Sequence, residues 1–320
     1  MLSVLEVKRK LPNEFVEKLY ENYTPLTVDK ILSGMSGERN TTLRVNTVKS
    51  NIQEVMNKLK QNAIKFDRVS WYNDALILKN CTEKQIQKLE IYEKGCIYLQ
   101  SISSMIPPLV LNPKENEKVL DLTAAPGSKT TQMAAMMNNK GYILANELDG
   151  LRCERLKYNV EKQGAKIVEL NNGRGESIGK QYENYFDKVL LDAPCSGEGR
   201  FLATDARTYR NWSERTVKEL AKLQKKLLKS AYLALKPGGE MVYSTCTLNR
   251  EENEEILEWA CNELDIEIID IEAKIAKDAS AIKNIVPAAS DKTEIKKALR
   301  ILPSKETEGF FVARLRKISF

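Results

Sequence analysis

In the stretch VLLDAPCSGEG, residues 189–199, an apolar run ends on Asp192, and Pro194, Cys195 and two glycines follow at once. A second thiol, Cys246, closes another apolar run, EMVYSTC (240–246). An acid and two thiols at the ends of strand-like runs suit nucleophilic chemistry, in which a thiolate attacks and a carboxyl moves or steers a proton. The sequence contains no histidine. That removes Ser-His-Asp triads, Cys-His proteases, His-bearing zinc deaminases and His-Glu-x-x-His metalloproteases. None of the 6 cysteines forms a Cys-x-x-Cys pair, so no zinc ribbon, thioredoxin-type site or other metal centre is expected. Cys81, Cys96, Cys153 and Cys261 read as small buried hydrophobes.

The residues around these groups alternate between strand and helix patterns. KVLDL (118–122), GYILANE (141–147), KIVEL (166–170), FDKVLLDA (186–193) and EMVYSTC read as strands. SKTTQMAAMM (128–137), 148–164 with Gly164 as C-cap, 213–235 with Ser213 as N-cap, and 250–264 read as helices. Pro237-Gly238-Gly239 reads as a turn, and ALRILP and GFFVARLR as two final strands. Strands separated by such helices imply a parallel sheet covered on both faces. Ligands gather beyond the carboxyl ends of such strands, where Asp121, Glu147, Asp192 and Cys246 all fall.

Residues 1–112 are expected to form a small α+β module, with helices at 13–22, 27–34 and 51–62 and strands at TTLRVNT and ALILK. Residues 97–111 join it to a larger domain over 113–320, and 272–297 has no clear pattern. No apolar run approaches the roughly 18 residues of a membrane span, and the start lacks the order of a secretory signal. A cytoplasmic monomer is expected. The net charge of +6 is compatible with a polyanionic partner.

DLTAAPGSKTTQ (121–132) is a strand turning through small residues into a helix. Gly127 can take a positive φ there, and the helix start offers N–H groups to an anion. Ser128 stands between Gly127 and Lys129, so this is not a Walker A loop, and a carboxylate-bearing ligand fits better than a triphosphate. Glu147 could bind ribose hydroxyls, and Asn172 an adenine or its ribose. Together these features suggest S-adenosylmethionine.

TAAPGSKTTQ, ILANE, LLDAPCSGEG, YSTCTLNREENE and EGFFVARLRK resemble the Sun-type family of RNA cytosine-5 methyltransferases. The resemblance extends to LRVNTVK and GCIYLQSISSM, and NNGRGES and RNWS point to the bacterial small-subunit rRNA branch. It implies a class I S-adenosylmethionine-dependent methyltransferase: a Rossmann-like, mostly parallel seven-stranded sheet, with a small RRM-like, RNA-contacting N-terminal module. The family often has Asp at the place of Asn172. In that branch a further RNA-binding module usually follows, and this sequence is read as stopping at Phe320 without one.

The resemblance assigns Cys246 as the nucleophile that adds to cytosine and Cys195 to product release. The residues themselves leave that order open, since DNA cytosine methyltransferases use a Cys in a Pro-Cys pair. Asp192, protonated or through water, would assist ring nitrogen 3, and Lys129 would steer the acid or the ring carbonyl. The cofactor-binding set is Ala124, Ala125, Pro126, Gly127, Ser128, Lys129, Glu147, Arg152, Asn172 and Asp192. Arg44, Lys49, Arg200, Arg207 and Arg210 are candidates for RNA phosphates, and Tyr209 and Trp212 for base stacking. The RNA is expected to be rRNA, with tRNA as the alternative. A non-catalytic RNA-binding assembly factor is the reading of another class.

Overall fold

The computed structural model describes residues 2–271, 285–287 and 294–318. Most of the 272–297 segment therefore lies outside the described residues. Three helices open the chain, Val4–Lys10, Asn13–Asn22 and Pro25–Gly34. The first was not expected, although Ser3 and Glu6 form a capping box across its first turn. These helices do not build their core alone. Val7, Phe15, Val28 and Ile31 share an apolar cluster with Phe201, Leu248 and Leu302, all distant in sequence.

A four-stranded antiparallel sheet follows, ordered β2-β3-β1-β4. Its strands are β1 (Thr42–Val45), β2 (Phe66–Arg68), β3 (Ala75–Leu78) and β4 (Ile97–Leu99). Leu43 pairs with Leu76 on one side and Leu99 on the other. The helix Ile52–Gln61 covers it by burying Val55 and Leu59 against Leu43, Leu76 and Ile97.

The large sheet is built from β5 (Lys118–Asp121), β6 (Tyr142–Glu147), β7 (Val168–Asn172), β8 (Phe186–Asp192), β9 (Leu235–Thr245), β10 (Ile266–Ile269), β11 (Ile285–Pro287), β12 (Leu299–Ile301) and β13 (Phe310–Lys317). The order is β11-β12-β13-β9-β8-β5-β6-β7, with β10 also on β13. Pairing is parallel from β9 to β7 and antiparallel around β13. Seven mostly parallel strands were expected, and nine are found among the described residues. The reason is the length of β13, whose first half pairs with β12 and second half with β10.

Successive residues alternate between two buried faces. Leu120, Val189, Leu191 and Tyr243 pack on the helix Glu214–Ala234 through Leu227, Leu228 and Ala231. Val119, Leu190 and Val242 pack on the other side with Met133 and Leu156 from the helices Ser128–Met136 and Gly150–Gln163. Both faces are thus closed, as a parallel sheet requires. Ser213 and Gly164 cap their helices as expected.

Three boundary differences bear on the site. Pro237-Gly238-Gly239 is an outward excursion inside β9, where the partners jump from Phe186↔Leu235 to Lys188↔Glu240 and Gly238 has φ +74°. The helix expected from residue 250 begins at Glu254, because Arg250–Asn253 forms a turn that packs behind Cys246. β7 runs two residues further than expected and contains Asn172.

β5 lies between β8 and β6, so the chain reverses its direction of winding at β5. A crevice opens at such a switch point, between the loops that leave the two diverging strands. Here those loops are 122–127 after β5 and 193–197 after β8.

Candidate active site

The loop after β5 starts on Asp121, a buried carboxyl that accepts from Thr130 Oγ1 at 2.6 Å. Burial pushes its pKa up to about 7. Ala124 N–H donates to Asn146 O, and Gly127 N–H closes the turn on Ala124 O. The Ala125–Pro126 bond is cis, and Gly127 takes φ +101°. The positive φ is what calls for glycine at Gly127, since a Cβ there would meet only the end of the Leu156 side chain, Cδ1, at 2.9 Å.

Lys129, in the first turn of the next helix, is 8% exposed and reaches across the crevice. Its Nζ lies 2.6 Å from Asp192 Oδ2 and 2.9 Å from Ser104 Oγ. Ser244 Oγ, from β9, donates to Asp192 Oδ1 at 2.8 Å. Both Asp192 oxygens therefore accept. The expected donor role of a protonated Asp192 does not fit this arrangement, in which Lys129 is the donor of the pair.

Cys195 and Cys246 meet across the ends of β8 and β9, with their Sγ atoms 3.3 Å apart. The contact works in opposite directions on the two thiols. As the donor, Cys195 is held well above the ordinary thiol range, and burial adds to this. As the acceptor, Cys246 is lowered, first by the hydrogen bond from Cys195 and then by the Arg200 guanidinium. Cys246, the thiol beside the Arg200 guanidinium, is thus the more acidic of the pair, and thiolate is the nucleophilic form. Arg200 sits in the short turn Glu198–Arg200 and folds back over Gly197, where a Cβ would meet its Nη2 at 2.9 Å. The turn is pinned when Gly199 N–H donates to Cys246 O at 3.0 Å.

An open cavity of about 950 Å³ connects these groups. Its wall includes Ala125, Pro126, Ser128, Lys129, Glu147, Arg152, Asp192, Cys195, Cys246 and Arg200. Glu147, 4% exposed at the end of β6, accepts from Asp149 N–H at 3.0 Å and lies 3.6 Å from Arg152 Nη1. Arg152 Nη2 also donates to Ala125 O at 2.9 Å, tying the helix after β6 to the loop after β5.

Three of the expected cofactor contacts are not on this wall: Ala124, Gly127 and Asn172. The first two shape the loop from behind. Asn172 Nδ2 donates to Glu147 O and Leu148 O, so its side chain supports the turn after β6 instead of facing the cavity.

The expected RNA contacts divide in the same way. Arg44 is fully buried and donates to Gln100 Oε1 and Thr131 Oγ1, so it meets no phosphate. Trp212 packs on Phe15 and donates to Glu198, and Tyr209 packs on Phe201; both belong to the N-terminal apolar cluster. Lys49 Nζ caps the carbonyls of Lys94 and Lys162. Arg207 pairs with Asp205, and Arg210 is exposed.

Residues 108–316 match the family model for 16S rRNA methyltransferase RsmB/F, and residues 11–83 match the ferredoxin-like domain of RsmF/B-like methyltransferases. The chain belongs to the RsmB/F methyltransferase family. Ribosomal RNA small subunit methyltransferase F of Shewanella loihica is 36% identical over 92% of the chain and 60% of its own length. The chain therefore spans less than two thirds of the curated family members of that name. The tRNA (cytosine(49)-C(5))-methyltransferase of Pyrococcus abyssi is also 36% identical, over 94% of the chain and 96% of its own length. A methyltransferase homologue of Pyrococcus horikoshii superposes with a TM-score of 0.83 at 32% identity, covering 99% of both chains. NSun6 of the same organism, solved with SFG, gives 0.82 at 22% identity, a likeness of fold, over 98% of this chain and 100% of its own.

Within this family member, several site residues carried no local signal. Ser104 and Ser244 are ordinary serines in the sequence, yet each bonds the Lys129–Asp192 pair. Glu308 lines the cavity and accepts from Ser101 Oγ at 3.2 Å. Arg200 was legible as a charge beside Gly197-x-Gly199, but its direction depends on the fold of that turn.

Proposed function

We propose that this chain transfers a methyl group from S-adenosylmethionine to carbon 5 of a cytidine in small-subunit rRNA, through a covalent bond between Cys246 and the base. The observation that carries the reading is the thiol pair, 3.3 Å apart, sharing one cavity with the Lys129–Asp192 ion pair and Glu147. Such a convergence has no use in a non-catalytic assembly factor.

The cavity suits the cofactor in its donor set. Glu147 ends a strand where ribose hydroxyls are bound in such sheets, and Ser128 and Lys129 stand at a helix start that receives a carboxylate. S-adenosylmethionine supplies an electrophilic methyl group there. NSun6, solved with this cofactor's analogue SFG, lends support.

The thiolate of Cys246 adds to carbon 6 of the ring, and the displaced electron pair makes carbon 5 nucleophilic. Lys129, oriented by Asp192 and Ser104, offsets the negative charge that builds on the nitrogen 3 and carbonyl edge. Once carbon 5 carries the new methyl, its proton passes to the Cys195 sulfur, acting as thiolate after its own proton has gone to water. The electrons of that C–H bond restore the double bond and expel Cys246 as thiolate. Cys195 stands beside this step and assists it. Residues 1–112 serve as the RNA-contacting module and 113–320 as the catalytic domain. No helix among the described residues is long and apolar enough to cross a membrane.

One observation favours tRNA as the substrate instead: the Pyrococcus tRNA methyltransferase matches this chain over nearly its whole length. Labelled methyl transfer to each RNA pool, with bisulfite mapping, separates the two. Cys246→Ala is expected to abolish transfer to either RNA. Cys195→Ala is expected to methylate once and remain joined to the RNA, seen as a retarded band on a denaturing gel. Full turnover by Cys246→Ala would overturn the assignment.

A further inference from the structure

The turn between Cys246 and the helix at Glu254 contains a buried acid that is not itself part of the cavity wall, Glu252. Its carboxylate is bonded on every side. Oε1 accepts from Ser196 N–H at 2.9 Å and from Gln224 Nε2 at 3.0 Å, and Oε2 accepts from Ser196 Oγ. Gln224 Nε2 also donates to Pro194 O at 2.9 Å. The residues before and after Cys195 are therefore gripped by one carboxylate–amide unit.

Two further bonds hold this region to β9 and the Cys246 loop. Tyr243 OH, on β9, donates to the main-chain O of Glu252 at 2.6 Å, and Ser196 Oγ lies 2.8 Å from Thr247 Oγ1, next to Cys246. The two thiol loops leave different strands, β8 and β9, and this acid joins them. An enclosed carboxylate is an expensive way to fill space, since burial disfavours its charge and its bonds only offset that cost. A role in holding geometry accounts for it.

We infer that Glu252 is a positioning residue that holds the Cys195 thiol in line with Cys246. This rests on the proposed roles of the two thiols, and it extends them by naming what sets their separation. The sulfur contact is a short-range one, and a displacement of about 1 Å at such a site can cost about 100-fold in rate.

The test uses the full chain with four variants: Glu252→Ala, Glu252→Gln, Cys195→Ala and the double variant Cys195→Ala/Glu252→Ala. Iodoacetamide labelling, read thiol by thiol by mass spectrometry, requires no catalysis. In Glu252→Ala, Cys246 loses its donor, and its labelling at neutral pH is expected to slow by about tenfold, the effect of one pKa unit on thiolate fraction. Multiple turnover is expected to fall by about 10- to 100-fold, with trapped enzyme–RNA adduct accumulating. Glu252→Gln keeps an acceptor for Ser196 N–H and is expected to recover most of that loss. In the double variant, the single-turnover rate of methyl transfer is expected to equal that of Cys195→Ala, because Glu252 acts through Cys195.

A labelling profile unchanged in Glu252→Ala overturns the inference, as does a further tenfold loss in the double variant. If Glu252→Ala does not fold, Ser196→Ala removes one tie and is expected to shift the labelling in the same direction by a smaller factor; no shift there overturns it equally. If Cys195→Ala traps no adduct while Glu252→Ala still alters labelling, the release role of Cys195 falls and the positioning role stands.

Discussion

Arg200 is the cation nearest in influence to Cys246, and Cys246 is the group whose ionisation the proposed chemistry needs. The thiolate is favoured by a hydrogen bond and by a charge, and only the charge can be removed without touching either sulfur. Arg200→Gln is expected to raise the Cys246 pKa. Thiolate is the base form, so the acid limb of the methylation profile moves to higher pH and the rate near pH 7 falls by about tenfold or more. A pH–rate profile of single-turnover methyl transfer checks this; an unmoved acid limb would show that the guanidinium does not tune the thiol. The thiols and Asp192 were legible in the sequence because their types are rare at strand ends. Arg200 was legible only as a charge. Its direction depends on Gly197 at φ +73°, and such backbone geometry leaves no mark that separates a phosphate contact from a thiolate partner.

At the scale of the element, β5 ends on a buried acid whose pKa lies near 7 against 3.8 in the unfolded chain, chiefly through loss of hydration. A raised carboxyl means that the folded state binds more protons between those values. Its stabilising contribution is full below pH 3.8 and is lost as pH rises through about 7. The span corresponds to a loss on the order of 4 kcal/mol. Asp121→Asn, which keeps an acceptor for Thr130, is expected to flatten urea-unfolding stability over that window, and a slope equal to wild type would refute the argument. The turn Glu198–Arg200 makes a second case. A Cβ on Gly199 would sit 2.0 Å from Gly309 O, so Gly199→Ala must push the turn away from the strand that begins at Phe310. The expected cost is about 1–3 kcal/mol in a melt, with Arg200 displaced and activity lost beyond the stability change.

Helices and central strands were readable at this scale because caps and apolar alternation are local. β10 was not, being four residues at the end of β13. Nor was the excursion at 236–239, where Pro-Gly-Gly signals a turn in either setting and only the β8 register shows that the strand resumes.

Across the whole molecule, Arg44, a β1 residue with no exposure, ties the small sheet to the helix Ser128–Met136 that packs on the large one. Its Nε donates to Gln100 Oε1 at 2.9 Å, and its Nη2 to Thr131 Oγ1 at 3.0 Å on the helix that carries Lys129. Gln100 Nε2 continues the chain of bonds to Gln132 Oε1 at 3.0 Å. From sequence alone an arginine in a strand of a basic protein reads as a phosphate contact, since nothing local distinguishes a charge turned outward from one turned into an interface. The two roles separate experimentally. A phosphate contact releases counterions, and its loss reduces the slope of log affinity against log salt by about one. A buried strut does not touch the ion atmosphere, and its loss leaves Gln100 and Thr131 without their partner, at about 1.5–3 kcal/mol for each bond to a charged group. Arg44→Met is therefore expected to lower the melting temperature and to leave the salt slope of RNA binding unchanged, measured below the melt by fluorescence anisotropy. A slope reduced by one with a wild-type melt would instead place Arg44 on the RNA.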